Sequence, residues 1–187
     1  GTFDGDGYSI TVDWSSTTGK LALFHQINGA TIRNLHTRGS ITTTHYFGSL
    51  SGMVWQADGN VALSSCSSMI NLTAAGTNNT QSAGLIGSLS GGASATLTDC
   101  IVGGQFSGVE EAARDCWSGF VFSESNASST LTNCLYIGSN NGKTWCHTFV
   151  FGGNISLNNC YYLNACGYTE VQGTHVTEKQ LKNGYVA

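Results

Sequence analysis

There is no proline anywhere in these 187 residues, and charge is scarce: Lys+Arg and Asp+Glu together make up only 10% of the chain. The seven Lys+Arg are too few and too scattered for a basic patch that could neutralise phosphates, which excludes nucleic-acid binding. No apolar run reaches the ~18 residues a membrane helix requires, and no secretory apolar segment opens the chain. Membrane insertion of this segment is therefore not expected. The first residue is Gly rather than Met, which reads as a segment of a larger chain with other domains. No C-x2-C pair is present, which argues against a structural zinc site. No G-x-S-x-G elbow marks a serine nucleophile.

Glycine is abundant, at 25 residues, alongside many Ser, Thr and Asn, and 40% of the chain is hydrophobic. This mixture is poor for helices, good for short strands joined by turns, and too apolar for disorder. A repeat organises it. Five segments share a frame: Ile32-Arg-Asn-Leu35, Leu63-Ser-Ser-Cys66, Leu97-Thr-Asp-Cys100, Leu131-Thr-Asn-Cys134 and Leu157-Asn-Asn-Cys160. Between them a second element recurs in the same order, as "LALF" at 21–24, "GMVW" at 52–55, "GLIG" at 84–87, "GFVF" at 119–122 and "TFVF" at 148–151. Two elements keeping one order five times define a repeat protein. The repeats run approximately over 1–27, 28–57, 58–90, 91–124, 125–153 and 154–175, with a C-terminal cap over 176–187, all within one domain.

Apolar runs this short are strands rather than helices. They cannot bury an apolar face alone, so each must stack on its neighbour in a parallel solenoid with rungs about 4.8 Å apart. The expected fold is an all-β, right-handed parallel β-helix of five or six rungs with a short C-terminal capping helix. That helix is signalled by "VTEKQLKNG" at 176–184, where Thr177 and Gln180 make a capping box, Val176 and Leu181 a hydrophobic staple, and Gly184 a stop.

The four-residue frame has a geometric cause. Residues three apart on a straight strand face opposite sides, so Leu131 and Cys134 both point inward only if the chain turns between them. Asn34, Ser65, Asp99, Asn133 and Asn159 fill the turning slot, where Asn and Asp tolerate the left-handed region. Leu35, Cys66, Cys100, Cys134 and Cys160 then form an interior stack. The cysteine count is odd, at seven, and stacked positions are too far apart for the roughly 3.5–4.5 Å Cβ separation of a disulfide. Cys116 and Cys146 are offset by one place on successive rungs and remain a candidate disulfide, with Cys160 and Cys166 a weaker one.

Taken together, "GTFDGDGYSI", "AGLIGSL", and "NNCYYL" followed by "TEKQLKNGYVA" resemble the GLUG-type β-helix repeats of large bacterial cell-surface proteins of gut inhabitants. Only 84–87 carries "GLIG" outright. The resemblance implies a β-helix on an exported, surface-exposed protein and adhesion more than catalysis; it supplies no catalytic residues.

Binding candidates lie where the repeat is longest. "GVEEAARDCW" is an insertion holding Glu110, Glu111, Arg114 and Asp115, the single cluster of charge. Beside it, Trp117 and Trp145 lie just outside the apolar runs and are the aromatic candidates for stacking on sugar faces, against the alternative that they pack inside. The five histidines show no metal spacing, and no metal or cofactor is expected. The expected function is a non-enzymatic, adhesin-like module outside the bacterial cell, binding a host or microbial glycan or a surface protein through loops 105–118 and 139–147. A structural spacer and a polysaccharide-active enzyme are the alternatives.

Overall fold

The computed structural model describes residues 1–74, 81–108, 117–140, 146–167 and 172–185. Three stacks of parallel strands coil into a β-helix. The first sheet joins Thr2–Asp4, Thr31–Arg33, Asn60–Ser64, Ser94–Thr98, Ser128–Thr132 and Asn154–Asn158 in that order. The second runs from Ser9–Ser16 through His36–Thr43, Ser67–Ala74, Ile101–Val102, Leu135–Tyr136 and Tyr161–Tyr162 to Thr174–His175. The third stacks Phe24–Asn28, Val54–Asp58, Ile86–Leu89, Val121–Ser123 and Val150–Phe151. Each strand pairs in parallel with its equivalent one coil further on. The small sheet of Ser82–Ala83 and Trp117–Ser118 fills the corner between the second and third.

Strand alternation sets what is buried. In Ser94–Thr98 and Ser128–Thr132, Ala95, Leu97, Ser129 and Leu131 face inward while Thr96 and Thr130 face solvent. The register aligns Ile32, Leu63, Leu97, Leu131 and Leu157 in one column. Three residues further on lie Leu35, Cys66, Cys100, Cys134 and Cys160, all buried. The rings of Phe120 and Phe149 stack 5.1 Å apart in the interior opposite. Each buried Leu contributes roughly 1.5–3 kcal/mol of transfer free energy.

All five turning residues have left-handed backbone: φ is 52° at Asn34 and Ser65, 54° at Asp99 and Asn133, and 50° at Asn159. The opposite turn, from third sheet to first, uses Gly29, Gly59, Gly92, Gly153 and, once, Asn126 at φ 65°. Asn is the side chain best suited to replace glycine there.

The C-terminal end differs from expectation in one respect. The helix spans Glu178–Lys182 and carries the capping box, with Thr177 N–H donating to Gln180 Oε1 at 2.9 Å and Gln180 N–H to Thr177 Oγ1 at 3.3 Å. At five residues with none buried, it is too short to cover a rung, and lies along the flank of the column instead. The end is closed by Thr174–His175, by fully buried Val176, and by the side chain of Gln172. Gln172 Oε1 accepts from the N–H groups of Phe149 (2.9 Å) and Val150 (2.8 Å), and its Nε2 donates to the Val150 carbonyl (2.7 Å). One side chain thus stands in for a further strand of the third sheet. Among the described residues nothing pairs with the outer edge of the first sheet at either end, where Phe3 is 42% and Ile155 39% exposed.

Candidate functional site

The corner between the first and second sheets carries the most developed surface feature. Its turning residues point their polar ends outward in a file. Asn159 Nδ2 donates to Asn133 Oδ1 at 3.3 Å, and Asn133 Nδ2 donates to Asp99 Oδ1 at 3.0 Å. At the other end of the column Asn34 Nδ2 donates to Asp4 Oδ1 at 3.1 Å. Ser65 is too short to continue the file between them.

Immediately after each interior cysteine the strand alternation turns the next residue outward, and in three successive coils that residue is apolar: Ile101, Leu135 and Tyr161. An apolar shelf therefore runs parallel to the amide file. The C-terminal segment supplies the facing wall through Leu181, Gly184 and Tyr185, with Gly184 in the left-handed region at φ 73°. Tyr185 meets Tyr161 edge to face, ring centroids 6.4 Å apart. Between these walls lies an open groove of about 590 Å³, a volume typical of small-ligand sites. One edge offers amide and carboxylate groups, the floor is apolar, and two tyrosines meet at one end.

A second cleft of about 310 Å³ lies on the third sheet, near Lys20, Phe47, Trp55 and Glu124. Its groups are already engaged with one another. Lys20 Nζ stands 4.3 Å over the Trp55 ring, and the His25 ring lies 4.7 Å from the same indole. Trp55 Nε1 donates to Ser49 Oγ at 3.2 Å, and Glu124 accepts from Ser88 Oγ and the Gly91 N–H, both at 3.2 Å. The aromatic face is covered, so the corner groove is the stronger candidate.

Each thiol of the interior column hangs over a carbonyl of the coil before it. Cys66, Cys100, Cys134 and Cys160 donate to Ile32, Leu63, Leu97 and Leu131 at 3.6, 3.6, 3.8 and 3.5 Å. The thiols also influence one another. The bond to Cys134 and burial hold Cys100 up at about 12. At Cys134 the Cys100 bond pulls downward but is outweighed by the Cys160 bond and burial, leaving that thiol at about 12 as well. At the end of the file the Cys134 bond brings Cys160 down to about 7. No group of three or more His, Cys, Asp or Glu side chains able to hold a metal ion occurs among the described residues.

Trp117 is not a surface residue. It is fully buried and stacks on Phe106, ring centroids 5.0 Å apart and 19° from parallel. The reason is register: Trp117-Ser118-Gly119 aligns with Ser82-Ala83-Gly84, and Ala83 bridges in turn to Ser51. Tryptophan thereby falls in the interior slot that Leu50 fills two coils earlier. The alignment of "WSG" with "LSG" at 50–52 carried that signal. Glu110, Glu111, Arg114, Asp115, Cys116 and Trp145 lie outside the described residues, and with them the candidate Cys116–Cys146 bridge; Cys146 itself is buried. The groove residues Ile101, Leu135, Leu181 and Tyr185 were missed by sequence reasoning, although an apolar residue directly after the cysteine in three successive repeats was visible.

No family model, curated protein or solved structure matches this chain.

Proposed function

We propose that this chain is an adhesin-like, glycan-binding module of a bacterial cell-surface protein, and that the corner groove rather than a projecting loop is its binding surface. The observation that carries the reading is the pairing, in one groove, of the Asp99–Asn133–Asn159 file with the Tyr161 and Tyr185 rings. Sugars ask for this combination. Their hydroxyls need donors and acceptors of fixed spacing, and their C–H faces need flat apolar surface. The amide file repeats with the rungs, about every 4.8 Å, which suits a linear glycan lying along the column axis.

The test is a glycan array with the purified chain, followed by titration of any bound glycan against Tyr185→Ala and Asn133→Asp. Loss of the Tyr185 ring should weaken binding about tenfold, the equivalent of roughly 1.4 kcal/mol. A folded protein that binds no glycan, or one whose affinity is indifferent to Tyr185→Ala, would overturn the reading. A spacer role is the second reading, supported by the first sheet, whose six strands stack without interruption.

A further inference from the structure

The polar edge of the corner groove has a fixed direction, and that direction narrows what the groove can hold. A carboxylate can only accept a hydrogen bond. Asp99 Oδ1 therefore meets the Nδ2 group of Asn133, at 3.0 Å, which leaves Asn133 Oδ1 to accept from Asn159 Nδ2, at 3.3 Å. Each of the two amides gives one N–H to the file. Among the described residues nothing accepts the second N–H of either, and both residues line the groove. The edge thus holds two spare neutral donors.

Charge excludes one class of sugar. Asp99 is the one charged side chain among the lining residues, with no Lys or Arg beside it. An acidic sugar would meet that carboxylate with no cation to offset the repulsion, so the ligand is neutral. The floor then selects among neutral sugars. Ile101 and Leu135 are aliphatic, and the rings of Tyr161 and Tyr185 occupy one end only. A hydroxyl set on the aliphatic stretch would lose water and gain no partner. An acetamido group has a carbonyl for a spare N–H and a methyl for the aliphatic shelf at once. The chain places those two partners side by side: Asn133 and Leu135 are two residues apart on one coil, and the register aligns Leu135 with Ile101 on one side and Tyr161 on the other.

We propose that the groove selects neutral N-acetylhexosamine units, the acetamide carbonyl accepting from Asn133 Nδ2 and the methyl resting on Ile101 and Leu135. This rests on the glycan-binding reading and names the sugar class it serves.

The experiment is calorimetric titration with triacetylchitotriose, with cellotriose, which has the same length and linkage but no acetamide, and with the fully deacetylated triose. Triacetylchitotriose should bind at least about tenfold tighter than either of the others. Ile101→Thr keeps a β-branched residue at an exposed position and shortens the shelf. It should weaken triacetylchitotriose about fourfold or more, the equivalent of a lost methylene, and leave cellotriose unchanged. Asn133→Gly keeps the left-handed backbone and removes the donor, so it should bring the two sugars together in affinity. Equal binding of triacetylchitotriose and cellotriose by wild type would overturn the acetamide assignment and leave the glycan-binding reading standing. So would binding of neither by protein that captures another glycan on the array, whereas folded protein that binds no glycan at all would remove both. Tighter binding of the deacetylated triose would mean that the Asp99 charge selects instead. A preference that survives both variants intact would place the acetamide outside this groove and overturn the proposal.

Discussion

Replacing Leu131 by alanine tests the stacking logic directly, because Leu157 offers the same substitution at a different depth. Leu131 is fully buried, with Leu97 on one side of it in the column and Leu157 on the other. Leu157 is only partly buried and has a column neighbour on one side, because its strand is the last of the first sheet. A buried Leu→Ala change costs about 2.7–5 kcal/mol, the spread reflecting the cavity left behind. Leu131→Ala should therefore cost about 4 kcal/mol, since rungs on both sides hold the space open. Leu157→Ala should cost roughly half that, because its surroundings are already partly wet and free to settle. Urea unfolding followed by circular dichroism measures both, and a slope unchanged from wild type shows that the difference lies in stability. In a chain of this size about 4 kcal/mol corresponds to a Tm lower by roughly 8–16 °C. Equal costs at the two positions would refute the argument, because they would show that a leucine's worth does not depend on having a rung on each side.

Other parts of the molecule give outcomes as definite. At φ 54°, Asn133→Ala keeps a β-carbon in the left-handed region without the amide that lets Asn tolerate it, and deletes two exposed side-chain bonds; it should cost about 2 kcal/mol, and Asn133→Gly, which removes the β-carbon as well, about 1, in chemical denaturation. An alanine variant as stable as the glycine variant would remove the backbone from the explanation. Gln172→Ala strips the three bonds that finish the third sheet, so amide exchange at Phe149 and Val150 should accelerate at least tenfold while amides of the Ser67–Ala74 strand keep their protection. Uniform acceleration across both sheets would contradict a local cap. Bonds from Ser90, Gln26 and Gln56 hold the Asp58 carboxyl below its ordinary range. A group depressed on folding stabilises above its unfolded pKa, so this contribution is present above about pH 4 and fades as the pH falls further. Asp58→Asn should therefore show a shallower loss of Tm between pH 5 and pH 2 than wild type; an identical slope would show that Asp58 contributes nothing to it.

How far the sequence reveals this molecule depends on whether a residue's role is set within its own repeat or between distant parts of the chain. The corner is local. Leu, two polar residues and Cys cannot place both ends inside without a left-handed residue between them, and Asn34, Ser65, Asp99, Asn133 and Asn159 all adopt that conformation. The interior columns follow from the same four residues, repeated. Trp117 shows where local reasoning fails. Its place outside the "GFVF" run suggested an exposed ring, yet its depth is set by pairing with Ser82, 35 positions earlier, and only an alignment of the flanking Ser-Gly would have shown it.

The groove is harder still, since its two walls come from different principles. The shelf of Ile101, Leu135 and Tyr161 is periodic and could be read by following the alternation one residue past each cysteine. The facing wall is not periodic at all. Leu181 and Tyr185 reach it because Val176 is buried and the short helix that follows, capped by Thr177, has no apolar face large enough to cover the column end. A sequence announces the helix and its cap, but the side of the column on which the helix settles is decided by packing. The Tyr161–Tyr185 contact is the product of that choice. If the contact holds the segment in place, Tyr161→Ala should release it, raising amide exchange at Leu181 and Asn183 while leaving the amide of Leu135 as slow as in wild type. Slow exchange at Leu181 in that variant would mean that buried Val176 alone anchors the wall, and that the groove keeps its shape without the ring pair.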